Sequence, residues 1–282
     1  MKISPHIYCL RIDFQVTPDL RRFVHIFLII GEKIYLVDSG VAGSEKEVSG
    51  YLASLGRSVE EIDGLFLTHS HPDHIGGAAA IKRLSGCKVY ASAIERGWIE
   101  DIEQQFKDRP IPNFHSLLNE SVQINEFIRE GDVVSCEDGI TLEVLDTSGH
   151  SHGSQCFLFR EERALFTGDA IPVPGDIPIY ISPEQTESTL KKILALDDIS
   201  LYLSAWDEVR NKESGRQALL LALDKQSKIN SAVRQVIRSH PEDSPDRQFM
   251  KVCHLLNLEQ LEQNPLFRKS VFVHLQEVKD KG

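Results

Sequence analysis

The 282-residue chain has no uninterrupted apolar run of membrane-spanning length; its best stretch, Phe23 to Ile30, falls far short of the roughly 20 residues a spanning helix needs. Cysteine is sparse and unpatterned. Cys9, Cys87, Cys136, Cys156 and Cys253 are odd in number and scattered, with no Cys-x-x-Cys. That excludes a disulfide framework and points to reduced thiols in the cytoplasm. The first residues, Met1-Lys2-Ile3-Ser4-Pro5, lack the apolar segment of an export signal, which supports the same location. Aromatics are few and do not alternate with a basic stripe, so a stacking platform for single-stranded nucleic acid is not expected. There is no Gly-x-Ser-x-Gly, and Gly76-Gly77 reads as a tight turn into a helix rather than a phosphate loop. An excess of positive charge is also missing. The net charge is −11; residues 210–282 hold 13 Lys+Arg against 9 Asp+Glu, for +4, which leaves −15 on residues 1–209. An acidic body of this kind disfavours general nucleic-acid binding.

What the chain does have is Thr68-His69-Ser70-His71-Pro72-Asp73-His74, closed by Ile75-Gly76-Gly77. Three imidazoles and a carboxylate within six residues suit a borderline metal such as zinc, not calcium or magnesium. The run follows Gly64-Leu65-Phe66-Leu67, an apolar segment that reads as a short buried strand. At its end His69 and His71 share one side by the two-residue strand period. Pro72 then breaks the ladder before Asp73 and His74. The pattern thus divides into His69 with His71 for one ion and Asp73 with His74 for an adjacent one.

Around this run, strands are expected at Ile7–Val16, Phe23–Ile30, Lys33–Val37, Lys88–Ala91, Thr141–Leu145, Gln155–Phe159, Arg163–Thr167 and Leu201–Ser204. Helices are expected from Ser44, whose Ser44-x-x-Glu47 spacing fits a capping box, over Ala78–Leu84, and over about Pro183–Leu196. Residues 93–132 interrupt the strand pattern and form an insertion of a length that tends to be functional. The proline-rich Ile171–Ser182, held extended, is a second such stretch. Residues 210–282 read as helices, with stripes at Ile229, Val233, Val236, Ile237 and at Phe249, Val252, Cys253, Leu256, and with Asn264-Pro265 opening a last helix. The expected division is a metal-binding domain over residues 1–209, including the insertion, and a helical extension over 210–282 that packs on the body or pairs two copies of the chain.

The metal-ligand run resembles the His-x-His-x-Asp-His signature of the metallo-β-lactamase superfamily. The family's other elements follow in order. Asp38 ends the strand Ile34-Tyr35-Leu36-Val37, His150 lies in Gly149-His150-Ser151-His152-Gly153-Ser154, and Asp169 follows Phe166-Thr167-Gly168. The resemblance covers about residues 7–207. It implies an α/β fold, an αββα sandwich with the helical extension appended. It also implies a first metal site of His69, His71 and His150, a second begun by Asp73 and His74, and Asp169 bridging them. Asp73 would additionally orient the attacking water as the catalytic carboxylate. One or two zinc ions are expected, with iron or manganese as alternatives.

At one place the chain departs from the family. Where two-metal members supply a final histidine after the last strand, this chain has Leu203-Ser204-Ala205-Trp206-Asp207-Glu208, and Trp206 offers only an N–H donor. Either the second site is held by Asp73, His74 and Asp169 alone, or Asp207 substitutes as an oxygen ligand, or a remote histidine (His115, His240, His254 or His274) reaches in. The resemblance implies a metal-dependent hydrolase of small ester-like substrates (thioesters, lactones or related acyl bonds) in which metal-bound hydroxide attacks. Two alternatives carry weight: an oxidoreductase like the persulfide dioxygenases, with one iron on His69, His150 and Asp169, and a nucleic-acid-processing hydrolase using the helical tail.

Overall fold

A computed structural model of the chain describes residues 1–17 and 20–280. Its contacts form two compact units, one comprising Met1–Asp146, Gly153–Gly168 and Ile199–Val209, the other Thr147–His152, Asp169–Asp198 and Arg210–Gly282. In the first unit the strands are β1 (Ile7–Thr17), β2 (Leu20–Ile30), β3 (Ile34–Val37), β4 (Ile62–Phe66), β5 (Lys88–Ala91), β6 (Glu126–Phe127), β7 (Val133–Glu137), β8 (Ile140–Asp146), β9 (Gln155–Phe159), β10 (Ala164–Gly168) and β11 (Leu201–Ser204). Its helices are α1 (Glu45–Ser54), α2 (Pro72–Ile75), α3 (Ala78–Ser85), α4 (Arg96–Ile99), α5 (Ile102–Asp108) and α6 (Phe114–Leu117). One mixed sheet runs from β1 to β6 in chain order, antiparallel through β3 and parallel from there. A second runs β11-β10-β9-β8-β7, with only β10 and β11 parallel.

The strand period explains how one sheet serves two cores. On β2, Val24, Ile26 and Leu28 pack with Val48 and Leu52 of α1 and Ile81 of α3. The alternate residues, Phe27 and Ile29, turn to the other face and meet Phe157, Phe159, Phe166 and Leu203 of the second sheet. Burial on both faces is why β2 and β3 read as continuous apolar runs.

Most expected elements fall within a residue or two of their places, and α3 ends at Gly86 in the left-handed conformation, φ 75°. One reading needs correction. Ser44 does not cap α1: it sits in helical conformation with no side-chain cap bond, its hydroxyl turned over Gly40. Gly76 and Gly77 form the expected turn between α2 and α3, though not through glycine's conformational freedom. Gly76, φ −61°, and Gly77, φ −87°, adopt ordinary helical angles. They are small because backbone crosses them: a Cβ on Gly76 would overlap the Leu117 carbonyl oxygen and lie 2.5 Å from the Ala42 nitrogen, and one on Gly77 would lie 2.5 Å from the Ser39 carbonyl oxygen. The strands β6 and β7 escaped notice because they are short and poorly buried, without the alternation of a half-buried strand.

The second unit contains α7 (Pro183–Leu194), the two-residue β12 (Arg210–Asn211), α8 (Lys212–Ser239), α9 (Pro245–Leu255) and α10 (Pro265–Asp280). The expected stripes close on one another: Ile229, Val233 and Val236 of α8 share a core with Phe249, Val252 and Cys253 of α9 and Phe267, Val271 and Leu275 of α10. Asn264 opens α10 by accepting the Leu266 and Phe267 N–H groups, both at 3.0 Å. His274 on α10 is buried, its Nε2 2.5 Å from the Tyr180 hydroxyl. Burial pushes this imidazole down to about 4 and the phenol upward, so a neutral ring accepts from the Tyr180 O–H.

Two outcomes follow from these contacts. Gly76→Ala should lower unfolding stability by about 1–3 kcal/mol, read as a reduced urea midpoint at unchanged slope, because rigid backbone must yield. His274 is held neutral in the folded state, so its contribution is complete above pH ~6.5 and is lost as pH falls toward 4, amounting to ~3 kcal/mol at the acid end. Between pH 7 and pH 4 the urea midpoint of wild type should therefore fall relative to that of His274→Phe.

Candidate metal centre

The site begins with a carboxylate rather than a histidine. Asp38 closes β3 in the left-handed region, φ 61°, where a non-glycine residue is uncommon. Its N–H donates to the Phe66 carbonyl at 2.9 Å, which continues the pairing of β3 with β4 and turns the side chain inward. There the buried carboxylate accepts the Thr68 N–H on Oδ1 at 2.8 Å. Its Oδ2 accepts the Thr68 hydroxyl and the His74 Nδ1–H, both at 2.8 Å. An ionised carboxylate offers acceptors only, and charge-assisted bonds of this kind are about twice as strong as neutral ones.

These bonds settle which ring nitrogens carry protons. The single Thr68 hydroxyl proton goes to Asp38, so the Thr68 oxygen, 3.0 Å from His69 Nδ1, accepts from that ring nitrogen. His69 is therefore an Nδ1–H tautomer that presents the Nε2 lone pair. His74, donating Nδ1–H to Asp38 directly, presents Nε2 as well. Metal-ligating imidazoles are oriented in this way, by what the other nitrogen donates to. The chain between them is equally determined. His71 stays extended, φ −65° and ψ 148°, because Pro72 follows it, and Pro72 opens α2 at the position where a missing N–H costs nothing.

Two side chains from the insertion brace this loop, and neither was anticipated. Glu95, 5% exposed, accepts from the Ser70 hydroxyl and N–H, and from the Gly153 N–H at 2.6 Å. Gln105 of α5 donates to the Ser70 carbonyl at 2.6 Å. The one local signal around Glu95, Ser92-x-x-Glu95, suggests a helix cap, whereas the carboxylate turns inward instead.

Trp206 donates its indole N–H to Asp73 Oδ2 at 3.0 Å, and the same oxygen is 3.5 Å from His74 Nε2, too far for a hydrogen bond. Asp207 accepts the Glu208 N–H at 2.8 Å. Of the remote histidines, His115 pairs with Glu103, His254 with Glu259 and His274 with Tyr180, while His240 ends α8. In the second unit, Gly149 takes φ 134° with Thr186 backbone pressed against it, a position only glycine fits. The following His150 donates Nδ1–H to the Ile179 carbonyl at 2.8 Å and turns Nε2 to within 3.3 Å of Asp169 Oδ2.

One ligand atom from each of His69, His71, His150 and Asp169 lies within 4.8 Å of the others; Asp73, His74 and Asp207 are not members of this group. Three imidazole nitrogens and one carboxylate oxygen fit zinc, iron or manganese and fit the oxygen-demanding calcium and magnesium poorly.

Residues 20–206 match the metallo-beta-lactamase superfamily. The chain belongs to that superfamily. It is 28% identical over 191 residues to a hydroxyacylglutathione hydrolase of Rhodopseudomonas palustris strain BisB18, covering 66% of each chain, just under two thirds of that relative's length. Another from strain BisB5 is 24% identical over 74% of this chain and 84% of its own. Among solved structures, a metallo-beta-lactamase family protein of Thermus thermophilus superposes with TM-score 0.75 at 20% identity, covering 99% of this chain and 95% of its own. The expected αββα fold with its C-terminal helices is thereby found. The chain carries a histidine/aspartate cluster suited to a metal ion.

Asp38→Ala should cost roughly 10–100-fold in zinc affinity, since Thr68 and His74 lose their common acceptor. Competition with a chromophoric chelator measures it; an unchanged affinity would mean the rings are held without Asp38.

Proposed function

We propose that the chain hydrolyses small acyl thioesters at a zinc centre held by His69, His71, His150 and Asp169. The observation that carries this reading is the four-residue donor group, set in a chain whose relatives include proteins named hydroxyacylglutathione hydrolase. His69, His71, His150 and Asp169 would hold the zinc ion, which would supply Lewis acidity toward the scissile carbonyl and would lower the pKa of a water to about 7. Asp73, with Oδ2 held by the Trp206 N–H, orients the attacking water and takes its proton. The thiol leaving group departs as the acid forms.

Covalent catalysis by a cysteine has no support. Burial raises the thiols of Cys9 and Cys253 to about 11, of Cys136 to about 12, and that of Cys87 in the same direction, so each stays protonated at neutral pH. None of the five cysteines forms a disulfide, which agrees with a cytoplasmic protein acting on a small-molecule substrate. A second reading, a single-iron oxidoreductase, draws on one observation: Trp206 occupies Asp73, which suits a centre with one ion.

Zinc-loaded protein offered a hydroxyacyl-glutathione thioester, a lactone and a phosphodiester should turn over the thioester fastest and lose that activity in His69→Ala. Iron in the purified protein together with thiol-dependent oxygen uptake, and no thioester cleavage, would replace this reading with the oxidoreductase.

A further inference from the structure

The residue that departs from the family pattern has a defined place. Trp206 follows β11 in a segment tied on both sides of its backbone: the Ala205 N–H donates to the Gly168 carbonyl at 3.1 Å, and the Ala205 carbonyl accepts the His25 N–H at 2.8 Å. The indole meets Phe14 edge-on, ring centres 6.4 Å apart at 85°, and packs against the core around α1 and α3. The Arg22 guanidinium lies 6.0 Å from the indole ring. With its ring fixed in this way, Trp206 directs N–H at Asp73 Oδ2, the oxygen that also faces His74 Nε2 at 3.5 Å.

Asp73 and His74 are the two side chains that the resemblance assigns to a second ion. From the hydrogen bond between Trp206 and Asp73 we infer that the indole closes this second position, so that the chain holds one ion where binuclear relatives hold two. The indole N–H is a donor and never a ligand. A cation bridging Asp73 and His74 would have to displace it from the carboxylate, and the ring cannot swing away without leaving Phe14. Trp206 is thus a positioning residue: it keeps Asp73 as a hydrogen-bond acceptor and not a metal ligand. This inference rests on the metal-hydrolase reading for the existence of the first ion.

The test counts ions on the full chain. Chelator-stripped protein is dialysed against zinc and analysed for metal per chain, with cobalt titrations followed by absorption as a second readout and thermal melts to verify folding. Wild type should bind one equivalent. Trp206→His should bind two, and Trp206→Phe, which keeps a packed ring but lacks the N–H, should bind a second equivalent at least about tenfold more tightly than wild type. Two equivalents of comparable affinity in wild type would overturn the inference, and so would one equivalent in both folded variants. Protein that binds no ion in any form would remove the metal-hydrolase reading along with it. A wild type with one ion that cleaves no thioester would remove only the proposed substrate.

Discussion

The Asp38 carboxylate is the constraint on which the metal centre depends. It is buried at the end of a sheet strand, and burying an ionised group is tolerable only when its oxygens are met by donors. Those donors are Thr68 and His74, which bracket the metal-ligand run from both ends. Satisfying one carboxylate therefore fixes the start of the loop, its end, and the tautomers of two imidazoles at once. The unusual φ of Asp38 is part of the same arrangement, because it aims the side chain at Thr68 and not along the strand. The loop after β3 is stitched to the run by backbone too: Ser39 donates N–H and hydroxyl to the His74 carbonyl, and the Gly76 N–H reaches the Gly40 carbonyl. Gly76 and Gly77 are the sequence's answer to that closeness.

The insertion at residues 93–132 takes on a different meaning in this light. Its length marked it as a functional loop, and the family resemblance suggested a wall of the site mouth. Its buried residues Glu95 and Gln105 hold the middle of the metal-ligand run, at Ser70. Glu95 also binds the N–H of Gly153, in the segment that contains His150. A site whose ligands sit on loops needs such bracing, since loops are otherwise the mobile part of a fold.

The clustered donors were legible because each stands in a short motif: His69 and His71 in the run after β4, His150 after an obligatory glycine, Asp169 just past β10. The β-sandwich was legible from apolar runs, since strands buried on both faces leave a strong signal. What escaped of the site shares one cause, distance along the chain. Glu95 acts 25 residues from Ser70, and Trp206 acts 133 residues from Asp73. Nothing local distinguishes Glu95 from a helix-capping glutamate or Trp206 from a core aromatic. Ser44 shows the converse error, a local spacing that fits a cap while tertiary packing against Gly40 decides otherwise.

The most direct test of this account is nitrogen NMR of the histidine rings in metal-free protein at neutral pH. If Asp38 organises the site, His69 and His74 will appear as Nδ1–H tautomers, with Nε2 unprotonated, before any metal is added. Rings that interconvert between tautomers, or that carry their proton on Nε2, would contradict it, and would mean that the metal orders the site rather than entering one already made.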